Sequence, residues 1–249
     1  MTFAKELTER FLRYVAIPSE SNGRAGVVPS SEGQRELARL LEAELREMGL
    51  EEIELNEYAI LTAKLPGNKA GVPAIGWVAH LDTVPVSLSP EVHPQILHYE
   101  GGDVCLNPEK DIWLRLAEHP ELGEYVGQDI VFTDGTSVLG ADDKAAIANV
   151  MTMLSALTAD PSIPHGDIRV AFVPDEEIGL CGAKLMDLEK WKVDYAYTID
   201  CCSVGEIVYE TFNAGSVLIE IEGVTAHPMS AKGVLVNPLL VGADIMACF

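Results

Sequence analysis

No stretch of the sequence approaches the ~18 uninterrupted apolar residues that a membrane-spanning helix needs, so no membrane partner is expected. Basic residues are scarce. Lys and Arg number 17 against 39 Asp and Glu, a formal net charge of -22. A field of that sign repels phosphate backbones and argues against nucleic acid as a partner. Cysteine is sparse and odd in number, at Cys105, Cys181, Cys201, Cys202 and Cys248, without the spacing of a disulfide framework. Reduced thiols in a cytoplasmic setting account for them. The amino terminus, Met1 to Leu7, carries charges where a signal peptide needs an apolar core. Internal repeats and low-complexity tracts are lacking as well. What remains is a chain of 249 residues, 48% hydrophobic, enough for a buried core in one large domain or a domain and a half.

Periodicity organises that material. Phe3, Leu7, Phe11 and Tyr14 share one face of a helix expected over 2–15. A second helix opens at Ser31 with Gln34 as a capping box, carries the stripe Leu37, Leu40, Leu41, Leu45 and Met48, and stops at Gly49. Strands follow at Ile53–Leu55, Ile60–Leu65 and Ala74–His80, the last a near-continuous apolar run of the kind buried on both faces. Residues 84–128 are irregular and read as an excursion from the core. Asp134-Gly135 marks a tight hairpin between β-prone runs. A helix over Asp143–Leu157, a strand over Ile168–Pro174 and a third buried strand over Tyr195–Ile199 complete an alternation that predicts an α/β fold: a mixed, mostly parallel sheet flanked by helices. Beyond residue 206 the pattern changes to period two (Ile207, Tyr209, Thr211; Val217, Ile219, Ile221), with a helix opening at Asn237-Pro238. That change predicts a first, larger domain over 1–211 and the start of a smaller α+β domain over 212–249.

Four segments share one placement, at or just past the C-terminal end of a predicted strand, the edge where open α/β sheets bind ligands. They are Ala79-His80-Leu81-Asp82, Gly140-Ala141-Asp142-Asp143-Lys144, Pro174-Asp175-Glu176-Glu177 and Thr198-Ile199-Asp200. Period two puts His80 and Asp82 on one side, where a carboxylate can hold the second ring nitrogen of a metal-bound imidazole. The same pair also serves as an ordinary strand end. Asp142 and Asp143 suit a helix N-terminus on macrodipole grounds alone, or one of them suits a metal held rigidly by the turn at Gly140. Glu176 and Glu177 repel one another unless a cation or a raised pKa relieves them. One as ligand with its neighbour as proton acceptor is a division of labour suited to metal-assisted hydrolysis. Asp200, after an apolar strand, would be costly without compensation. Capping explains each segment singly, but not four at one sheet edge.

These segments, with Pro164-His165-Gly166-Asp167-Ile168-Arg169, Gly101-Gly102-Asp103 and Thr133-Asp134-Gly135 leading into Leu139-Gly140-Ala141-Asp142, resemble the peptidase T branch of the co-catalytic zinc aminopeptidases over essentially the whole chain. The resemblance implies two zinc ions, with His80 and Asp200 on the first, Glu177 on the second, and Asp142 bridging both. It implies Glu176 as the general base toward the attacking water and Asp82 as the residue orienting His80. In Gly223-Val224-Thr225-Ala226-His227-Pro228, it implies His227 as a histidine on a lid domain that stabilises the oxyanion. His93, His98, His119 and His165 are read as structural or surface residues. Cys201-Cys202 departs from a glycine-rich family pattern and is read as packing.

The implied reaction is removal of the N-terminal residue from tripeptides, with a sibling dipeptidase or amide deacylase activity, or metal binding without turnover, as alternatives. The lid implies a homodimer. The family also extends beyond the counterpart of Phe249, where it supplies a further zinc-binding histidine and basic substrate-binding residues.

Overall fold

The computed structural model describes residues 3–86, 89–201, 203, 205–211, 213–215 and 217–248. It divides into two units, residues 1–202 and 203–249.

The first unit is built on a five-stranded sheet. In chain order its elements are α1 (Phe3–Val15), α2 (Glu32–Glu47), β1 (Glu51–Leu55), β2 (Leu61–Leu65), β3 (Ile75–His80), β4 (Pro94–Tyr99), β5 (Val104–Asn107), β6 (Ile112–Leu114), β7 (Gln128–Thr133), α3 (Ala141–Ala159), β8 (Ile168–Val173), α4 (Leu188–Trp191) and β9 (Tyr195–Thr198). The sheet runs β1-β2-β8-β3-β9. Its β8–β3–β9 half is parallel and its β1–β2–β8 half antiparallel, giving the mixed sheet that the strand and helix alternation predicts. Helix α1 packs on α3, α3 on β3, and α2 on β1 and β2. Between them lies one core, including Tyr14, Leu37, Leu41, Leu45, Ile147, Met151, Leu154 and Phe172. Among the described residues no helix is long and apolar enough to cross a membrane.

Helix α2 ends as expected. Gly49 takes φ +78°, its N–H donates to Arg46 O, and the N–H of Leu50 donates to Leu45 O: a Schellman motif closed by the one residue type without a Cβ penalty. Its start differs from expectation. Ser31 makes no side-chain cap bond to the helix backbone; Gln34 is fully buried, its amide donating to Ser31 Oγ at 3.1 Å and, closer, to Asp175 Oδ1 at 2.7 Å. A buried amide facing a buried carboxylate gains more from that pairing than from the exposed end of its own helix.

The Asp134-Gly135 hairpin does not form, because β7 pairs with β4, far earlier in the chain, and not with the segment on the other side of Gly135. Asp134 instead closes a turn, its Oδ1 accepting from Thr136 N and Oγ1 at 2.9 and 2.6 Å. Within the excursion, β4–β7 and β5–β6 form two small sheets around Tyr99, Val104, Leu122 and Phe132. Strand β9 forms, yet all four of its residues are exposed, against the buried strand expected there. It is the sheet's edge, and an apolar run looks the same at an edge as in the middle.

In the second unit, α5 (Pro238–Met246) starts at Asn237, whose side chain accepts from the Leu239 N–H at 3.0 Å. The period-two segments at 207–211 and 217–222 form no strands among the described residues; a bridge joins Val224 to Val236. Alternation sets which face a side chain takes, but a strand exists only where a partner supplies hydrogen bonds.

Strand β3, which carries His80, is held tightly along its length. A Cβ on Gly76 would lie 2.4 Å from Trp191 Cη2 in the buried indole ring. Gly76→Ala is therefore expected to destabilise the protein by about 1–3 kcal/mol through overpacking. Urea denaturation followed by tryptophan fluorescence measures it, and an unchanged midpoint would show that Trp191 can move aside freely.

Candidate active site

His80 ends β3 and is almost fully buried. Its ring is bracketed by carboxylates: Nε2 lies 2.8 Å from Asp142 Oδ1, and Nδ1 lies 3.3 Å from Asp82 Oδ1. That second contact is at ion-pair distance without hydrogen-bond geometry, so Nδ1 is a buried nitrogen with no hydrogen-bond partner among the described residues. The backbone N–H of His80 donates to Asp143 Oδ2 at 2.9 Å.

Asp82 is fully buried and does more than face the imidazole. Its two oxygens accept the N–H groups of Glu176 and Glu177, at 2.9 and 3.1 Å. One carboxylate thereby ties the end of β3 to the loop after β8. Asp142 and Asp143 lie at the start of α3 with non-helical dihedrals, behind Gly140 at φ +76°. Asp142 is exposed and Asp143 buried, so the pair divides into one outward carboxylate and one facing β3. Asp200 follows β9 and is exposed, not the costly buried carboxylate expected from its strand.

Ligand atoms converge in three overlapping groups: His80, Asp142 and Glu177; His80, Glu176 and Asp200; and Asp142, Asp143 and Asp200, each with its atoms within 4.8 Å of one another. One imidazole among carboxylates suits a divalent cation of the zinc, manganese or cobalt type. Six of the seven residues read from the sequence as site residues (His80, Asp82, Asp142, Glu176, Glu177, Asp200) thus meet at one sheet edge. The seventh, His227, lies in the second unit, exposed, its Nδ1 accepting from the Met229 N–H at 3.2 Å.

Protonation follows from this crowding. Burial alone would lower the His80 pKa, but the neighbouring Asp82, Asp143 and Asp142 carboxylates raise it to about 10. Burial raises Asp143 to about 8, opposed by His80 and reinforced by Asp200 and Asp142. Burial also raises Glu176 and Glu177, with the nearby aspartates adding and His80 opposing. Asp200 rises through partial burial and the charge of Asp142.

Two residues at the site are not evident from sequence. Asp143 reads there as a capping carboxylate or an alternative to Asp142 as ligand, with nothing to show that it is the one that grips the His80 backbone. Lys144 is fully buried, its Nζ donating to Ile17 O at 2.7 Å, and burial lowers its pKa to about 8 against the opposing charge of Asp82. The signal in the sequence is a lysine directly after two aspartates at a strand-to-helix turn. Cys201 is exposed, and Cys202 lies outside the described residues, so packing does not account for Cys201.

Comparison with known proteins supplies the relationship. Residues 140–243 match the family described as Peptidase family M20/M25/M40. A peptidase T-like protein of Yersinia pestis is 57% identical over 249 residues, which is all of this chain and 60% of that protein. The chain is a homologue of peptidase T. Peptidase T of Salmonella dublin is 48% identical over 244 residues, 97% of this chain and 59% of that protein. Among solved structures, aminopeptidase PepT from Bacillus cereus superposes with a TM-score of 0.61 at 25% identity, covering 98% of this chain and 56% of that one. The chain thus spans about 60% of the length of the peptidase T relatives it matches.

The raised pKa values fix the sign of a linkage. Asp143 binds its proton more tightly folded (about 8) than unfolded (3.8), so its contribution to stability is present below pH 3.8 and is lost as pH rises toward 8. His80 contributes below 6.5 and loses that contribution as pH rises through about 10. Both run the same way: at the metal-free site these two groups contribute less stability as pH rises. A divalent cation competes with those protons, so zinc should raise the melting temperature more at about pH 7.5 than at about pH 5. Thermal shift with and without chelator measures this, and equal shifts at both pH values would overturn it.

Proposed function

We propose that this chain carries the metal-binding and proton-transfer groups of a divalent-metal-dependent aminopeptidase that removes the N-terminal residue of tripeptides. The observation that carries the reading is the meeting of His80, Asp142, Glu176, Glu177 and Asp200 in overlapping ligand groups, in a chain 57% identical along its whole length to a peptidase T-like protein.

His80 and Asp200 would hold one zinc ion, Glu177 a second, and Asp142 would face both. When bound, such ions polarise a peptide carbonyl and make water more acidic. Glu176 accepts the proton from the attacking water and returns it to the leaving amine. A carboxylate whose pKa is raised by burial is better matched to that exchange near neutrality than an ordinary surface glutamate. Asp82 fixes the imidazole from the side of Nδ1, so that Nε2 is the nitrogen presented to a cation. His227 is assigned to oxyanion stabilisation on the strength of its Thr-Ala-His-Pro setting. Residues 212–249 are assigned to a lid domain.

Tripeptide hydrolysis with added zinc tests the reading. Glu176→Gln is expected to lower kcat by about 10²–10⁴-fold while zinc affinity, measured by calorimetry, is retained. Activity unaffected by the substitution would sink the assignment of Glu176. Cleavage of dipeptides or N-acyl amino acids in place of tripeptides would move the substrate assignment to a sibling activity.

A second proposal is self-association through the second unit, where Ile207, Val208, Tyr209, Val217 and Leu218 are all exposed. Sedimentation velocity should show a dimer that Tyr209→Glu with Leu218→Glu converts to monomer. A monomeric parent chain at micromolar concentration would rule it out.

A further inference from the structure

Asp175 precedes the two glutamates, and the proposed mechanism gives it no task. It is fully buried and takes φ +57°, a left-handed conformation that a non-glycine residue adopts only when its surroundings impose it. Its side chain bonds away from the ligand groups, to the segment that leads into α2. Its Oδ2 accepts the Ser30 N–H at 2.7 Å, and its Oδ1 accepts the Gln34 amide at 2.7 Å and the Ser30 hydroxyl at 2.5 Å. In return, Gln34 Oε1 accepts the Asp175 N–H at 3.0 Å. The Asp175 carbonyl accepts the N–H of Cys181, closing the loop behind the glutamates.

Glu176 and Glu177 are therefore gripped from two sides. Asp82 takes their N–H groups, and Asp175, one residue earlier, is fastened to the start of α2. Repulsion between the glutamates and Asp142 and Asp200 pushes this loop outward, and burial of Asp175 with every bond satisfied opposes that push. We infer that the Asp175–Gln34–Ser30 network is a positioning device that fixes where the Glu176 and Glu177 carboxylates stand. As a statement about catalysis it rests on the proposed aminopeptidase function; as a statement about loop order it does not.

Hydrogen exchange on the intact 249-residue chain, without metal, reads the device directly. Gln34→Glu sets a carboxylate against Asp175 and should speed exchange at the Glu176, Glu177 and Cys181 amides about tenfold, leaving Ile147 and Val170 in the core unchanged. Adding Asp175→Asn to Gln34→Glu should restore protection, because an amide at 175 donates to a carboxylate at 34 and the network closes with the roles reversed. Zinc affinity should fall about tenfold in the single variant and recover in the double one.

Unchanged exchange at Glu176 and Glu177, a uniform rise that includes Ile147 and Val170, or no recovery in the double variant would overturn the inference. Should Gln34→Glu not fold, Ser30→Ala removes a single hydroxyl and is read by the same three amides. A parent chain that binds no zinc would count against the proposed function alone, since local exchange decides the device by itself.

Discussion

Mutual repulsion among carboxylates at one edge of a sheet governs this structure. Asp82, Asp142, Asp143, Glu176, Glu177 and Asp200 surround a single imidazole, and four of the six have pKa values pushed upward, by burial first and by their neighbours' charges second. Left to local forces the loops bearing them would spread apart. They are held by the strand ends they extend and by N–H donors aimed at buried oxygens: two on Asp82, and one from His80 on Asp143.

A second set of restraints comes from the chain between α1 and α2. Ser19 Oγ donates to Leu81 O, Ser21 N to Thr83 O, and Thr83 N to Ser19 O, laying residues 19–21 along the end of β3. Lys144 reaches the Ile17 carbonyl from the start of α3. Gly33 brings α2 against this segment: a Cβ there would lie 1.5 Å from Pro18 O, so glycine is the residue that permits the approach. Two of the four site segments are thereby referenced to residues 17–21, and Asp175 ties a third to Ser30 further along the same connection.

The sequence disclosed the site better than its supports. His80, Asp82, Asp142, Glu176, Glu177 and Asp200 were legible because acid and imidazole groups at strand ends break the expected pattern of the element that carries them. The strands β2, β3 and β8 and the helices α1 to α3 were legible from periodicity alone. The device around Asp175 was not, since Ser30 and Gln34 are ordinary polar residues whose meaning depends on a contact more than a hundred positions away. Gln34 reads as part of its own helix end for the same reason. Edge status was equally hidden: β9 reads like β3, and no property of Tyr195 to Thr198 says that, among the described residues, only β3 pairs with them. The segments 207–211 and 217–222 alternate like strands, which fixes a face but cannot supply a partner.

The excursion over 89–133 also bears on how this architecture tolerates change. It leaves the site after Thr83 and returns at Gly140, so it is spliced between two ligand-bearing segments. Both junctions are pinned without it: Thr83 by residues 19–21, and the start of α3 by Lys144 and by close packing of Gly140 on Thr83. The excursion has its own small core around Tyr99 and Phe132. Lengthening such a closed detour costs little, because closure entropy grows only with the logarithm of its length. It is a graft on the frame that carries the site, free to be reshaped while His80 and Asp142 keep their separation.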